Sequence, residues 1–406
     1  MDTTRILQIF RDTAYVRTGG SVQEKKTAGY LGEICRSFGL SARIESFDVP
    51  MSTIREAVLT VDGKEIPCKG YLCAGTSEVE APLYYLTDAD PFSLSQIRGK
   101  IVLSDGYLGF WRYHDLVENG AVGFITYDGN AFYADRDIDQ RELRSYVSEG
   151  KAILPGVNIN IRDAAAMIER GAARAKITLR QDEYTGQSQN VVLDLPGETE
   201  QTIVLTAHYD STSLSQGAYD NMSGSVGLLA MAEHFAKHPH RFGLRFIWCG
   251  SEERGLLGSK AYCAANEEAL KDIVLCVNLD MIGCTMGKFI ACCTSEMQLV
   301  HYISYMGREL GFQTAPYQDV YSSDSTPFSD KGIPSVSFAR VSPREAAPIH
   351  NRYDTLASIK AEHMEKDIDF ITQFVFRMAN AKFCPVEKKI PDNMKEKLDK
   401  YLCRKR

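Results

Sequence analysis

TIVLTAHYDSTSLSQGAYDNMSG, residues 202–224, reads as an apolar strand, a polar loop and the first turn of a helix. Three further stretches have the same character: WCGSEERGLLGS (248–259), VNLDMIG (277–283) and APIHNRYDTLASI (347–359). Each sets an Asp, Glu or His behind a strand-like run or in the loop after one, which is where open α/β sheets carry their chemistry. Strands alternating with helices of 10–15 residues continue outward in both directions. NVVLDLPG and FGLRFIWCG read as strands, residues 223–237, 255–268 and 295–310 as helices, and PSVSFAR as a closing strand. That alternation predicts a mostly parallel mixed sheet with helices on both faces, a three-layer αβα domain.

His208, Asp220, Glu253, Asp280 and His350 have the donor types of a site for two zinc-like cations. Two ions roughly 3.5–4 Å apart need a short carboxylate between them, and Asp220 is the candidate. One ion then takes His208 and Asp280, the other Glu253 and His350, with a shared water or hydroxide as nucleophile. Glu252, beside a ligand but facing elsewhere because successive residues of extended backbone point apart, is the candidate general base. Any one such residue in a loop is usually a solvated or capping group; the ordered set is what carries the reading.

His-x-Asp, Tyr-Asp-Asn, Ser-Glu-Glu-x-Gly-x-x-Gly-Ser, Asn-Leu-Asp-Met and His-x-x-x-Asp-Thr, in this order over about residues 186–384, resemble the di-zinc aminopeptidase family, with its leucyl aminopeptidase, glutamate carboxypeptidase-like and glutaminyl cyclase relatives. The resemblance implies hydrolysis of N-terminal residues from short peptides with two Zn2+ per chain, for which Co2+ or Mn2+ can substitute. It also implies that Asp210 orients His208 and that the Asp220-Asn221 peptide is cis. Two positions depart from the family. Ile349 stands where many members have a tyrosine, which leaves Tyr219, Tyr321 and Tyr353 as substitutes. Ser323-Asp324-Ser325 stands where the family has Ser-Asp-His, so Asp324, Tyr321 and Tyr353 are the candidates for holding substrate. An aminopeptidase holds the substrate ammonium with carboxylates, whereas a carboxypeptidase or dipeptidase needs a guanidinium such as Arg340, Arg344 or Arg352. A glutaminyl cyclase normally carries one zinc, and a receptor-like relative would have lost ligands.

The chain opens with helical periodicity over residues 5–38, ended by Gly39, and the strand ARIESFDVP. Residues 51–183 then change to short strands between turns: REAVLTVDG, KEIPCKG, APLYYLTD, GKIVLSDG and AVGFITYD. Ile97–Leu103 and Leu116–Gly123 resemble the protease-associated domain, so a mainly-β insert is expected, with Phe110, Trp111, Tyr113 and His114 either reaching the substrate or packing on the insert itself. The domain boundaries are 1–50 and 184–384 for the peptidase, 51–183 for the insert and 385–406 for a charged helical tail that packs on the surface or on a neighbouring copy in a homo-oligomer.

The 406 residues favour two domains, and 44% hydrophobic residues make the chain globular. A net charge of -7 without a basic block speaks against nucleic acid or an anionic membrane as partner. The N-terminus MDTTRILQIFRDTAYVRTGG lacks the continuous apolar core of a signal peptide, and no run reaches the roughly 20 apolar residues of a span. Eleven cysteines without finger spacing fit a reducing compartment, so a cytoplasmic location is expected. His234, His238 and His240 are expected to be solvent-exposed.

Overall fold

The computed structural model describes residues 1–104 and 108–406; the run GKIVLSDG ends in Asp105-Gly106, outside the described residues. The chain forms two compact units, Met1–Asp48 with Gln187–Lys405, and Val49–Gly186 with Arg406. Among the described residues, no helix is long and apolar enough to cross a membrane.

In the first unit, strand Thr199–His208 lies between Phe242–Cys249 and Ile273–Leu279, parallel to both, with Leu205 opposite Phe246 and Val277. Ser335–Val341 continues the parallel set beyond Ile273–Leu279. Lys288–Thr294 is antiparallel to it and parallel to Ala315–Gln318. Side chains alternate along each strand, so Ile203, Leu205 and Ala207 enter one core while Val204 enters the other. The larger core is covered by helices Thr3–Asp12, Val22–Ser37, Ser223–Phe235 and Ala361–Ala379, the smaller by Leu257–Ala265 and Ser325–Asp330. That gives the expected three layers. Trp248, fully buried, donates from Nε1 to Ser225 O at 3.0 Å and so ties a strand to a helix without leaving a polar atom unpaired.

Helix Val22–Ser37 starts where Ser21 accepts the Glu24 N–H and ends in a Schellman turn. Gly39, at φ 79°, donates to Arg36 O at 2.9 Å and Leu40 donates to Cys35 O at 3.0 Å. Helix Ala361–Ala379 is not among the elements expected above. Its buried face repeats at helical spacing, Met364, Ile368, Ile371 and Val375, and Phe370 stacks on Phe312 with centroids 4.5 Å apart. His240 corrects the histidine expectation: it is buried, with Nδ1 2.7 Å from Phe242 O, while His234 stacks on the exposed His238.

The second unit has its own core around Ile101, Leu103, Phe124, Val157 and Ile177. Ser77–Leu86, Ile101–Ser104, Gly123–Asp128 and Gly156–Asn160 pair in parallel. Gly156 is fixed by packing, since a Cβ there would lie 2.0 Å from the Phe124 ring. The strands are interleaved with helices Phe110–Glu118 and Ile161–Glu169, so the unit is less purely β than its short apolar runs imply. The GFWRYHD cluster is helical: Tyr113 and Leu116 enter the core and Phe110 meets His114 one turn on, 3.9 Å between centroids. Tyr113 OH donates to Ala152 O at 2.7 Å, so that ring packs within this unit.

Candidate active site

The carboxyl ends of three adjacent parallel strands, at His208, Cys249 and Leu279, open into the loops that hold the acidic residues. His208 ends its strand with Nε2 3.1 Å from Asp220 Oδ1, 3.8 Å from Asp280 Oδ1 and 3.9 Å from Glu252 Oε2. The other oxygen of Asp220 lies 3.1 Å from His350 Nε2, which is also 3.2 Å from Glu253 Oε2. The donors therefore form two triads, His208/Asp220/Asp280 and Asp220/Glu253/His350, each with its ligand atoms within 4.8 Å of one another. Asp220 is their common member. His350 is the open edge of the cluster, with 44% of its side chain exposed; the acidic side chains lie at 11% or below.

Each donor is held by its backbone. Asp354 accepts the N–H groups of Tyr219 at 2.7 Å and Asp220 at 3.2 Å, and the Asp220-Asn221 peptide is cis, as the family resemblance implied. Asn221 accepts from the N–H of Gly224 and of Met281, tying the loop after Asp220 to the one after Asp280. Ser251 takes a left-handed conformation, φ 53°, and its N–H donates to the buried Glu24 at 2.8 Å. The two following amides, of Glu252 and Glu253, donate to Asp210 Oδ1 and Oδ2 at 3.0 and 3.2 Å. Asp210 Oδ1 also lies 3.3 Å from His208 Nδ1. Gly258 is required because a Cβ would stand 2.4 Å from Asn190 Oδ1 and from Gly250 O.

Crowding of buried carboxylates sets the electrostatics. Burial pushes Asp280 up to about 7, with Asp220 adding to the rise and His208 opposing it. Burial likewise drives Glu252 well above the carboxylate range. Burial also acts on Asp220, but hydrogen bonds from both imidazoles overcome it and hold that group low. His208 is raised against the effect of burial by Glu252, Asp210 and Asp220, and His350 is raised chiefly by Glu253. Arg17 is a buried cation nearby, but its guanidinium bonds to the carbonyls of Tyr209, Gln216 and Gly217 rather than to a carboxylate. Asp280 Oδ1 is buried without a hydrogen-bond partner among the described residues. Oxygen and imidazole donors in that state fit divalent cations, which would relieve the repulsion and satisfy the unpaired oxygen.

The substrate candidates are placed differently from one another. Asp324 is wholly buried and accepts from Ser259 Oγ at 2.6 Å, while its Oδ2 has no hydrogen-bond partner among the described residues. The Tyr219 OH donates to Arg340 O at 2.6 Å, so its proton is engaged there. Burial, with the charges of Asp280 and Asp220 adding to it, raises the Tyr321 phenol well above its ordinary value, and Tyr353 is 42% exposed. Arg340 is held by both oxygens of Asp367 and has no free fork for a carboxylate.

The family model described as peptidase family M28 matches residues 190–375. Aminopeptidase YwaD of Bacillus subtilis is 29% identical over 403 residues, covering 94% of this chain and 85% of that protein. Leucine aminopeptidase 1 of Neurospora crassa is 28% identical over 250 residues, 54% of this chain and 61% of its own length. The solved structure of BSAP, a zinc aminopeptidase from Bacillus subtilis, shares the fold with a TM-score of 0.77 at 24% identity, covering 96% of this chain and 98% of that one. Within the matched residues lie all five candidate ligands, Glu252 and Asp210. Arg17 and Glu24 lie outside it. Neither belongs to a motif, and the loops they tie in at Gly217 and Ser251 are 200 or more residues away in sequence, so no local signal marks that role.

Proposed function

We propose that the chain is a zinc aminopeptidase that removes N-terminal residues from short peptides. The observation that carries this reading is the pair of donor triads sharing Asp220; the relatives named aminopeptidases support it. His208 and Asp280 would hold one Zn2+, Glu253 and His350 a second, and Asp220 both. When bound, such ions polarise a carbonyl and bring the pKa of a water toward neutrality. The protein's own part is proton handling and alignment. Glu252, whose Oε2 lies 3.9 Å from His208 Nε2 and which belongs to neither donor triad, would as the ionised carboxylate accept a proton from the attacking water and return it to the leaving amine. Asp210 fixes the backbone of that glutamate, and Asp354 fixes that of Asp220. The Tyr321 phenol, raised by burial and by the charges of Asp280 and Asp220, stays protonated and, with Tyr353, is a candidate donor to the developing oxyanion.

The amino-end preference rests on the relatives named aminopeptidases, and of the three arginines a carboxypeptidase could use, Arg340 is already engaged by Asp367. We read Val49–Gly186 as a protease-associated insert, on the runs Ile97–Leu103 and Leu116–Gly123, and a reducing, cytoplasmic setting on the eleven free thiols. The deciding experiment compares zinc-loaded and chelator-treated protein on aminoacyl p-nitroanilides, their N-acetylated forms and N-acyl dipeptides. Zinc-dependent cleavage of the free-amine substrates alone is expected. Cleavage of only the N-blocked dipeptides would make it a carboxypeptidase, and cleavage of nothing would overturn the enzyme reading.

A further inference from the structure

Helix Ser223–Phe235 starts just after Asp220 and ends in a pair of imidazoles that the chemistry above does not use. His234 in its last turn and His238 just beyond are four residues apart and so share a face. Their rings lie stacked, with 4.1 Å between centroids and 15° between planes. His238 Nδ1 lies 2.7 Å from His234 O. A ring nitrogen that meets a carbonyl carries the proton, so Nε2 of that ring keeps its lone pair, which is how a backbone acceptor prepares an imidazole for a metal.

Both rings line a cavity of about 720 Å3 bordered by this helix, Thr3–Asp12 and Ala361–Ala379. From Ala361–Ala379 the wall receives Glu365 and Asp369, again four residues apart. Asp369 Oδ2 accepts from Gln373 Nε2 at 2.8 Å and Glu365 Oε1 accepts from Thr3 Oγ1. Both donors are neutral, so these bonds leave the carboxylate charges in place. The cationic groups on the wall are already matched, Arg377 by Glu309 at 2.8 Å and the Met1 amine by Glu233 at 3.0 Å. The carboxyl end of a helix adds partial negative charge where the imidazoles stand.

We propose that His234 and His238 chelate one divalent transition-metal ion of the zinc class in this cavity, at a site separate from the Asp220 centre. Two histidines four residues apart on one helix face are the spacing by which a helix holds zinc. The stacked rings need only turn about χ2, a broad torsion in histidine, to aim one nitrogen each at a common ion, and water completes its shell. Imidazole donors suit Zn2+, Cu2+ and Ni2+, whereas Mg2+ takes oxygen ligands. The 13 residues of the helix separate this site from the loop of Asp220 by roughly 20 Å, so an ion here takes no part in the proposed hydrolysis. The inference therefore stands apart from the peptidase reading.

The test equilibrates the full chain with zinc, removes the excess and titrates with Ni2+ by calorimetry. His301→Ala, which changes an exposed histidine on helix Met297–Glu309, is the control. The wild type and His301→Ala are each expected to take up one equivalent of Ni2+, and X-ray absorption at the nickel edge should show two imidazoles. His234→Ala and His238→Ala should each lose that equivalent, while an excess of Mg2+ should leave it in place. No uptake by the wild type, uptake that survives either of these two changes, or uptake lost in His301→Ala would overturn the proposal. A nickel-edge spectrum without imidazole, or displacement by Mg2+, would overturn it as well.

Discussion

The main-chain N–H of Glu252 donates to Asp210 Oδ1 at 3.0 Å, so a carboxylate from the loop after His208 sets the backbone beneath the glutamate proposed as general base. Its second oxygen takes the Glu253 amide. Asn at position 210 would offer one acceptor where two are needed, would turn an NH2 toward one of those amides, and would remove the charge beside His208. Asp210→Asn is therefore expected to lower kcat/KM and zinc affinity by about 10- to 100-fold. Steady-state kinetics and competition with a chromophoric chelator would measure both. Wild-type values in each would show that His208 needs no orienting carboxylate.

Glu252 is set apart from Glu253 by what it faces. Its Oε2 is 3.9 Å from His208 Nε2, whereas the Glu253 oxygen is 3.2 Å from His350 and belongs to a donor triad. Glu252→Gln should keep the zinc content of the wild type and lose about 10²- to 10⁴-fold in kcat. Glu253→Gln should instead lose zinc. Metal analysis beside turnover separates the two, and equal zinc loss in both variants would erase the distinction.

How much of this was legible in the sequence depends on the range of the interaction. The alternation of Val204 and Leu205 between two cores is local, as are the short motifs around His208, Asp220, Glu253, Asp280 and His350, and they display the layered fold and the ordered ligands. Arg17 and Glu24 lie in the first two dozen residues and act on loops near residues 217 and 251. Nothing adjacent to them in sequence announces a buried charge. Asp354 lay in a recognised motif, but its role as acceptor for the Tyr219 and Asp220 amides exists only once the loops meet. Helix Ala361–Ala379 was hidden by its polar face, although its apolar positions have helical spacing. His240 reads as exposed because it sits between Pro239 and Arg241, and it is burial against Phe235 that takes it inside.

Zinc binding should be strongly pH-dependent. Both imidazoles are raised well above their ordinary value by the surrounding carboxylates, and Asp280 is raised to about 7, so the metal-free cluster holds protons at neutral pH. A cation must displace them, since ligating imidazoles are neutral and ligating carboxylates ionised. Apparent affinity is expected to climb as pH rises through 7, with proton release on binding. Calorimetry in buffers of different ionisation enthalpy would count the protons. Binding without release near pH 7 would mean that the cluster is already deprotonated there.

Glu24 offers a test of how burial is tolerated away from the ligands. It accepts from the N–H of Gly20 and of Ser251 and from Ser188 Oγ, yet burial, reinforced by Asp210, raises it to about 8. A carboxyl raised in the folded state keeps its proton between its unfolded value near 4.5 and about 8, while the unfolded chain has already lost it. Its contribution to stability is thus fully present below about 4.5 and declines as pH rises toward 8, by at most about 1.4 kcal/mol per pH unit. Gln at 24 is neutral throughout and lacks that slope. In urea unfolding of zinc-loaded protein, Glu24→Gln is expected to be less stable than wild type at pH 5, because Gln turns an NH2 toward amides that need an acceptor. The gap should then narrow steadily toward pH 8, since only the wild type must ionise a buried group. Other titrating groups are common to both proteins and cancel in the difference. A gap that stays constant from pH 5 to 8 would mean that the bonds from Gly20, Ser188 and Ser251 keep Glu24 ionised in the fold.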